Sequence, residues 1–148
     1  MSGIVCAIRG GPDSRITIEK SIQLAKQTGL KLHFLYVVNL DFLTHTTSSR
    51  IAAISTEMHQ MGEFILLSAQ RAAARQDVAA EIVVRQGNVS DEIIALCHEI
   101  QANHVVLGLP QQAVDRENAF DRERIDQFSQ RLERESGAKV VLVEGDQP

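Results

Sequence analysis

Five short apolar runs, separated by patterns of helical period, constrain this chain more than any other feature. They are Ile4 to Ile8, Lys31 to Val38, Glu81 to Gly87, His104 to Leu109 and Ala138 to Gly145. The first, Ile-Val-Cys-Ala-Ile, is continuous, which suits a strand covered on both faces. Arg9-Gly10-Gly11-Pro12 breaks it, and Pro12 suits the first position of a helix, where its missing N–H costs nothing. Ile18, Ser21, Ile22 and Ala25 then fall on one stripe, and Gly29 closes that helix. Strands alternating with helices imply right-handed crossovers, so the expected fold is α/β, a parallel sheet with helices on both faces.

The remaining helices follow from the same periodicity. Asn39 to Arg50 is rich in Thr and Ser and reads as a connection, leading into a long helix from about Ile54. On that helix Met58, Met61, Gly62, Ile65, Ala69 and Ala72 recur at three- and four-residue intervals and predict one buried stripe. Asn88 with Asp91 predicts an N-cap for a helix presenting Ile93, Cys97 and Ile100. Ile125, Phe128 and Leu132 mark a last amphipathic helix ending before Gly137. With 148 residues, 44% of them hydrophobic, the whole chain from 1 to 148 reads as one domain.

Composition excludes several classes of function. A formal net charge of −4 argues against a general nucleic-acid or acidic-membrane binder, and no apolar run approaches membrane-spanning length. The reading is a cytoplasmic protein with no membrane insertion. Cys6 and Cys97 lie in separate elements, so neither a redox pair nor a zinc site is available, and both are expected to be buried thiols. His33, His45, His59, His98 and His104 lack metal-ligand spacing and a partner carboxylate or nucleophile, and read as ordinary core or surface residues. No constellation of nucleophile, base and oxyanion donors is found, so the chain reads as a non-enzyme.

Three stretches fall in a recognisable order: "IVCAIRGGPDS", "VVRQGNVSDEIIALCHEIQANHVVLGLP" and "GAKVVLVE". Together they resemble the universal stress protein family. Gly10 and Ser14 hold the places of the family's first turn, and Gly87 and Gly108 match its later strand-and-glycine rhythm. The resemblance implies a five-stranded sheet in the order 3-2-1-4-5, a topological switch between strands 1 and 4, and a homodimer. It also implies where this chain departs. Nucleotide-binding members carry Asp where Arg9 stands, and after strand 4 they carry Gly-x-x-Gly and then, beyond a spacer, Gly-[Ser/Thr]. Counted from Gly108, these fall on Gln111, Asp121 and Arg122. Those glycines bring amides close to phosphate, so their loss implies a member without the usual ATP loop, with weak ATP or AMP binding at most.

The candidate ligand-binding residues are therefore Arg9, Gly10, Gly11, Val37, Val38 and Gly108. Arg9 stands where open α/β sheets bind ligands, and it either meets a small anion or nucleotide beside the Gly10 and Gly11 amides or closes the crevice by pairing with Asp13 or Asp41. Val37 and Val38 match the positions where family members hold adenine through backbone atoms. Val140, Val141, Leu142 and Val143, on what the resemblance makes an edge strand, are the candidate homodimer interface. A protein partner also fits a binding role. The opening "RGGPDS" is in addition similar to the loop of the PP-loop ATP pyrophosphatases, which implies an adenylating enzyme as an alternative.

Overall fold

A computed structural model describes residues 2–9, 14–43, 46–108 and 119–143. Its strands are β1 (Gly3–Ala7), β2 (Lys31–Val38), β3 (Ala80–Gln86), β4 (His104–Gly108) and β5 (Lys139–Val143). Its helices are α1 (Ser14–Thr28), α2 (Ser48–Ala74), α3 (Val89–Ile100) and α4 (Ala119–Ser136), with a short 3-10 turn at Asp41–Leu43. All four strand pairings are parallel, as the alternation of strands and helices leads one to expect, and the sheet order is β3-β2-β1-β4-β5, as the family resemblance implies.

The continuous apolar run of β1 is explained by its position. It is the central strand, and Ile4, Val5 and Cys6 are wholly buried. Side chains alternate between two cores. Ile4, Cys6, Phe34, Tyr36 and Val106 pack with Ile22 and Ala25 of α1 and Leu66, Ala69 and Ala73 of α2. Val5, Leu35, Val105 and Leu107 pack on the other face with Ile93, Leu96 and Cys97 of α3 and Leu132 of α4. Each fully buried large apolar side chain contributes about 1.5–3 kcal/mol, so these two layers dominate stability. Gly29 and Gly137, at φ +74° and +76°, take the left-handed conformation that ends α1 and α4.

Helix α2 departs from expectation in two ways. It begins at Ser48, earlier than its apolar period suggests. Ser55 Oγ donates to Gln86 Oε1 at the end of β3 (3.0 Å), and Gln70 Nε2 donates to the Ala80 carbonyl at its start (2.8 Å). The turns before Ser55 therefore extend past the carboxyl end of the sheet by about 10 Å at 1.5 Å per residue. With no sheet beneath them they carry no buried stripe, which is why periodicity missed them. The second departure is Met61, which is 55% exposed and outside the expected stripe. The buried residues are Gly62, Leu66, Ala69 and Ala73. Gly62 sets this rotation, because a Cβ there would lie 2.4 Å from the Tyr36 ring. Bringing the glycine onto the ring turns Met61 outward.

Cys6 and Cys97 are both free and buried, and burial pushes each thiol up to about 12, with a Ser21 hydrogen bond opposing it at Cys6. Neither is a thiolate at neutral pH. His33 does meet a carboxylate, contrary to expectation: its Nδ1 lies 3.5 Å from Glu81 Oε2, while Lys31 Nζ lies 2.7 Å from Oε1. The reason is register, since His33 pairs with Glu81 across β2 and β3. Burial lowers the His33 pKa, outweighing the attraction of Glu81. This cluster lies at the opposite end of the strands from the candidate crevice.

Candidate functional site

The order β2-β1-β4 places the reversal of strand order between β1 and β4, and open sheets of this kind bind ligands outside the carboxyl ends of the strands at such a point. Ala7 pairs with Leu107, which puts Arg9 and Gly108 side by side at that end. Arg9 is exposed, and one of its terminal guanidinium nitrogens donates to the Gly108 carbonyl at 3.2 Å. Both Arg9 and Asp41 are described, and no ion pair joins them. Gly10, Gly11, Asp13 and Gln111 lie outside the described residues, and at Asp121 and Arg122 only the backbone is described, so neither the expected anion pocket nor the Asp13 pairing is visible.

Gly108 has a second partner. A Cβ built on it would lie 2.5 Å from Thr17 Oγ1, a buried side chain of α1. Real Cβ atoms do not approach this closely, so glycine is what lets the first helix settle against β4 while its carbonyl remains open to Arg9. The periodicity of α1 carries this contact: Thr17 lies one turn before Ser21 and joins Ile22 and Ala25 in the buried stripe. Thr17 was absent from the sequence-based set because a lone threonine has no apolar signal.

The β2 side of the crevice is built by backbone. Val38 is buried, and its carbonyl accepts from the Gly87 N–H at 3.0 Å. Gly87 itself sits at φ +151°. A carbonyl has two lone pairs, so Val38 keeps one for another donor. Val37 faces the α3 and α4 core. Asn39 Oδ1 accepts from the Asp41 N–H (2.9 Å) and starts the 3-10 turn that leaves the crevice. On the α3 side, Asn88 Oδ1 accepts from the Asp91 N–H (3.2 Å), as its spacing leads one to expect. Arg131 of α4, a residue sequence reasoning missed, reaches Ser90 Oγ (2.9 Å) and Asp91 Oδ1 (3.0 Å) and ties α4 to that same helix start.

One nearby pair has the composition of a catalytic dyad without its chemistry. Ser55 Oγ is 3.4 Å from His59 Nδ1, but that nitrogen lies 2.7 Å from the Ser55 carbonyl. The shorter contact requires Nδ1 to carry the proton, so it cannot accept one from Ser55, whose hydroxyl donates to Gln86. Among the described residues no cluster of three or more His, Cys, Asp and Glu side chains is placed to hold a metal ion. Among them, too, no helix is long and apolar enough to cross a membrane.

The architecture defines a doubly wound α/β domain with its topological switch between β1 and β4. The family model for the universal stress protein family matches residues 1–144, and the chain belongs to that family. No curated protein matches the sequence. Solved structures show the same fold at low identity. Universal stress protein UspA from Lactobacillus plantarum is 12% identical with a TM-score of 0.77, covering 96% of this chain and 97% of its own. A universal stress protein in complex with cAMP is 16% identical with a TM-score of 0.70, covering 98% of each chain. A universal stress protein from Archaeoglobus fulgidus in complex with dAMP is 12% identical with a TM-score of 0.61, covering 96% and 97%.

The Gly108 contact makes a direct prediction. Gly108→Ala is expected to cost about 1–3 kcal/mol through overpacking against Thr17. Thr17→Ala added to it removes the blocking hydroxyl and is expected to recover most of that loss. Urea unfolding of both variants measures this, and additive losses would mean that the two residues do not meet.

Proposed function

We propose that the chain is a universal stress protein domain that works by binding and association, without turnover, and that its crevice is altered so that adenine nucleotides bind weakly. The observation that supports this reading is the Arg9 to Gly108 hydrogen bond. It lays a guanidinium across the switch point, where the family resemblance implies an Asp in nucleotide-binding members. The replacement of loop glycines by Gln111 and Asp121 in the sequence points the same way, since a side chain at each position keeps the backbone amides from approaching phosphate closely and Asp121 adds a negative charge. The remaining backbone at Val38 accounts for residual adenine affinity.

A second reading, an adenine nucleotide or anion sensor, is favoured by the weakness of the Arg9 tether. One exposed hydrogen bond to a neutral carbonyl is weaker than the bond between two ionised groups that a phosphate oxygen offers the guanidinium. Arg9 then works as a gate that exchanges Gly108 for an anion. The cAMP and dAMP complexes of the structural relatives are consistent with a nucleotide in this role.

The partner in the first instance is a second copy. β5 lies at a sheet edge, with Val140, Val141 and Leu142 only partly covered. Val141 lines an open groove with Ile16 and Leu24 of α1, a shelf that a paired copy would fill. Unpaired edge groups and apolar side chains are satisfied together by antiparallel pairing about a two-fold axis.

Isothermal titration with ATP, AMP and cAMP is expected to give dissociation constants no tighter than roughly millimolar. Micromolar binding by any of them replaces the first reading with the second. Light scattering at micromolar concentration is expected to show a dimer that Val141→Lys weakens, because a charge would be buried in the contact. A monomeric wild-type protein would remove the association half of the proposal.

A further inference from the structure

Helix α2 exposes the largest apolar side chains on the described surface. Phe64 is 75% exposed, Met61 55% and Leu67 36%. Phe64 stands at the rim of a groove of about 590 Å³ between α1 and α2, which begins at Ser14 and shares Arg15 and Glu19 with the groove beside Val141 of β5. The groove is lined on its α2 side by Ile65, Ala69 and Ala72, and on its α1 side by Ile18. Two alanines in that wall allow another backbone to approach closely. The helices that form it have satisfied their own backbone groups, so a strand has nothing to add to. A helix seating a row of apolar side chains suits this shape.

Charge identifies the kind of helix. The chain carries a net charge of −4, yet Arg15 and Arg75 line this groove, and exposed Arg71 lies one turn before Arg75. None of the three arginines has an ion-pair partner among the described residues. The one carboxylate in the groove, Glu19, accepts from Gln76 Nε2 at 3.0 Å. The local field is therefore opposite in sign to the chain as a whole. A two-fold contact of this face with itself would set arginine rim against arginine rim. A membrane surface would reach Phe64 and leave the recessed groove residues uncovered.

We infer that the groove between α1 and α2 docks an acidic amphipathic helix of a partner protein, with Phe64 as its apolar anchor and Arg15 and Arg75 pairing with the partner's carboxylates. Aromatic and arginine side chains are the residues that carry most of the energy at such contacts. Steering by the arginines selects against basic helices of equal hydrophobicity.

The test uses fluorescence anisotropy of the 148-residue chain with two labelled peptides of about four helical turns, sharing one leucine stripe and flanked by Glu or by Lys. The Glu peptide is expected to bind at least about tenfold more tightly than the Lys peptide, and Phe64→Gln and Arg15→Glu are each expected to weaken it about tenfold. Both variants should keep their fold, since Phe64 is exposed and a carboxylate near the start of α1 suits the helix dipole. Unfolding midpoints check this. Equal binding of the two peptides, no binding of either, or indifference to Phe64→Gln overturns the inference. So does a Phe64-dependent association of the protein with phosphatidylglycerol vesicles or with itself in place of peptide binding.

Discussion

The close approach of α1 to β4 at Gly108 is the constraint on which the functional end of this fold depends. Thr17 Oγ1 lies 2.5 Å from where a Cβ on Gly108 would be, so the first helix packs its threonine side chain directly on the backbone of the fourth strand. That contact crosses the switch point, joining the crossover that leaves β1 to the strand that enters on its other side. It also leaves the Gly108 carbonyl available at the sheet's end. Arg9 then uses that carbonyl, and one glycine links core packing to the chemistry of the crevice.

What the crevice can hold follows from magnitudes. The hydrogen bond from Arg9 is neutral on its acceptor side and exposed to water, so it is weak enough to yield to a charged oxygen. An adenine held as the family resemblance implies would meet backbone groups that any sequence supplies, and the Val38 carbonyl retains acceptor capacity. Under the proposed function the phosphate side has the larger deficit, because Gln111 and Asp121 stand in the sequence where the family resemblance implies glycines that let amides approach phosphate. Membership of the universal stress protein family sets the frame, and these few residues set this chain's position within it.

The fold was legible in the sequence because each strand carries an apolar run; burial falls from the central β1, where Ile4, Val5 and Cys6 are wholly buried, to the edge strands β3 and β5, which are mostly only partly covered. Asn88 was legible for a local reason, since an N-cap is decided within three residues. The errors have a common cause. Met61 and the early start of α2 depend on where a long helix lies relative to the sheet, which periodicity does not encode. The His33 and Glu81 pairing depends on strand register. At the candidate site, the position of Arg9 beside Gly108 followed from topology. The identity of its hydrogen-bond partner did not, because a backbone carbonyl leaves no mark on the residue that bears it.

The measurement that most directly tests the Arg9 closure is the carbonyl carbon shift of Gly108, compared between the wild-type protein and Arg9→Gln, with the side-chain carboxylate carbons of Asp13 and Asp41 followed in the same spectra. Loss of the guanidinium is predicted to move the Gly108 carbonyl resonance upfield, toward its unbonded position, and to leave both carboxylates where they were. An unmoved Gly108 carbonyl together with a shifted Asp13 or Asp41 carboxylate would show that Arg9 is held by an ion pair, and would contradict the account.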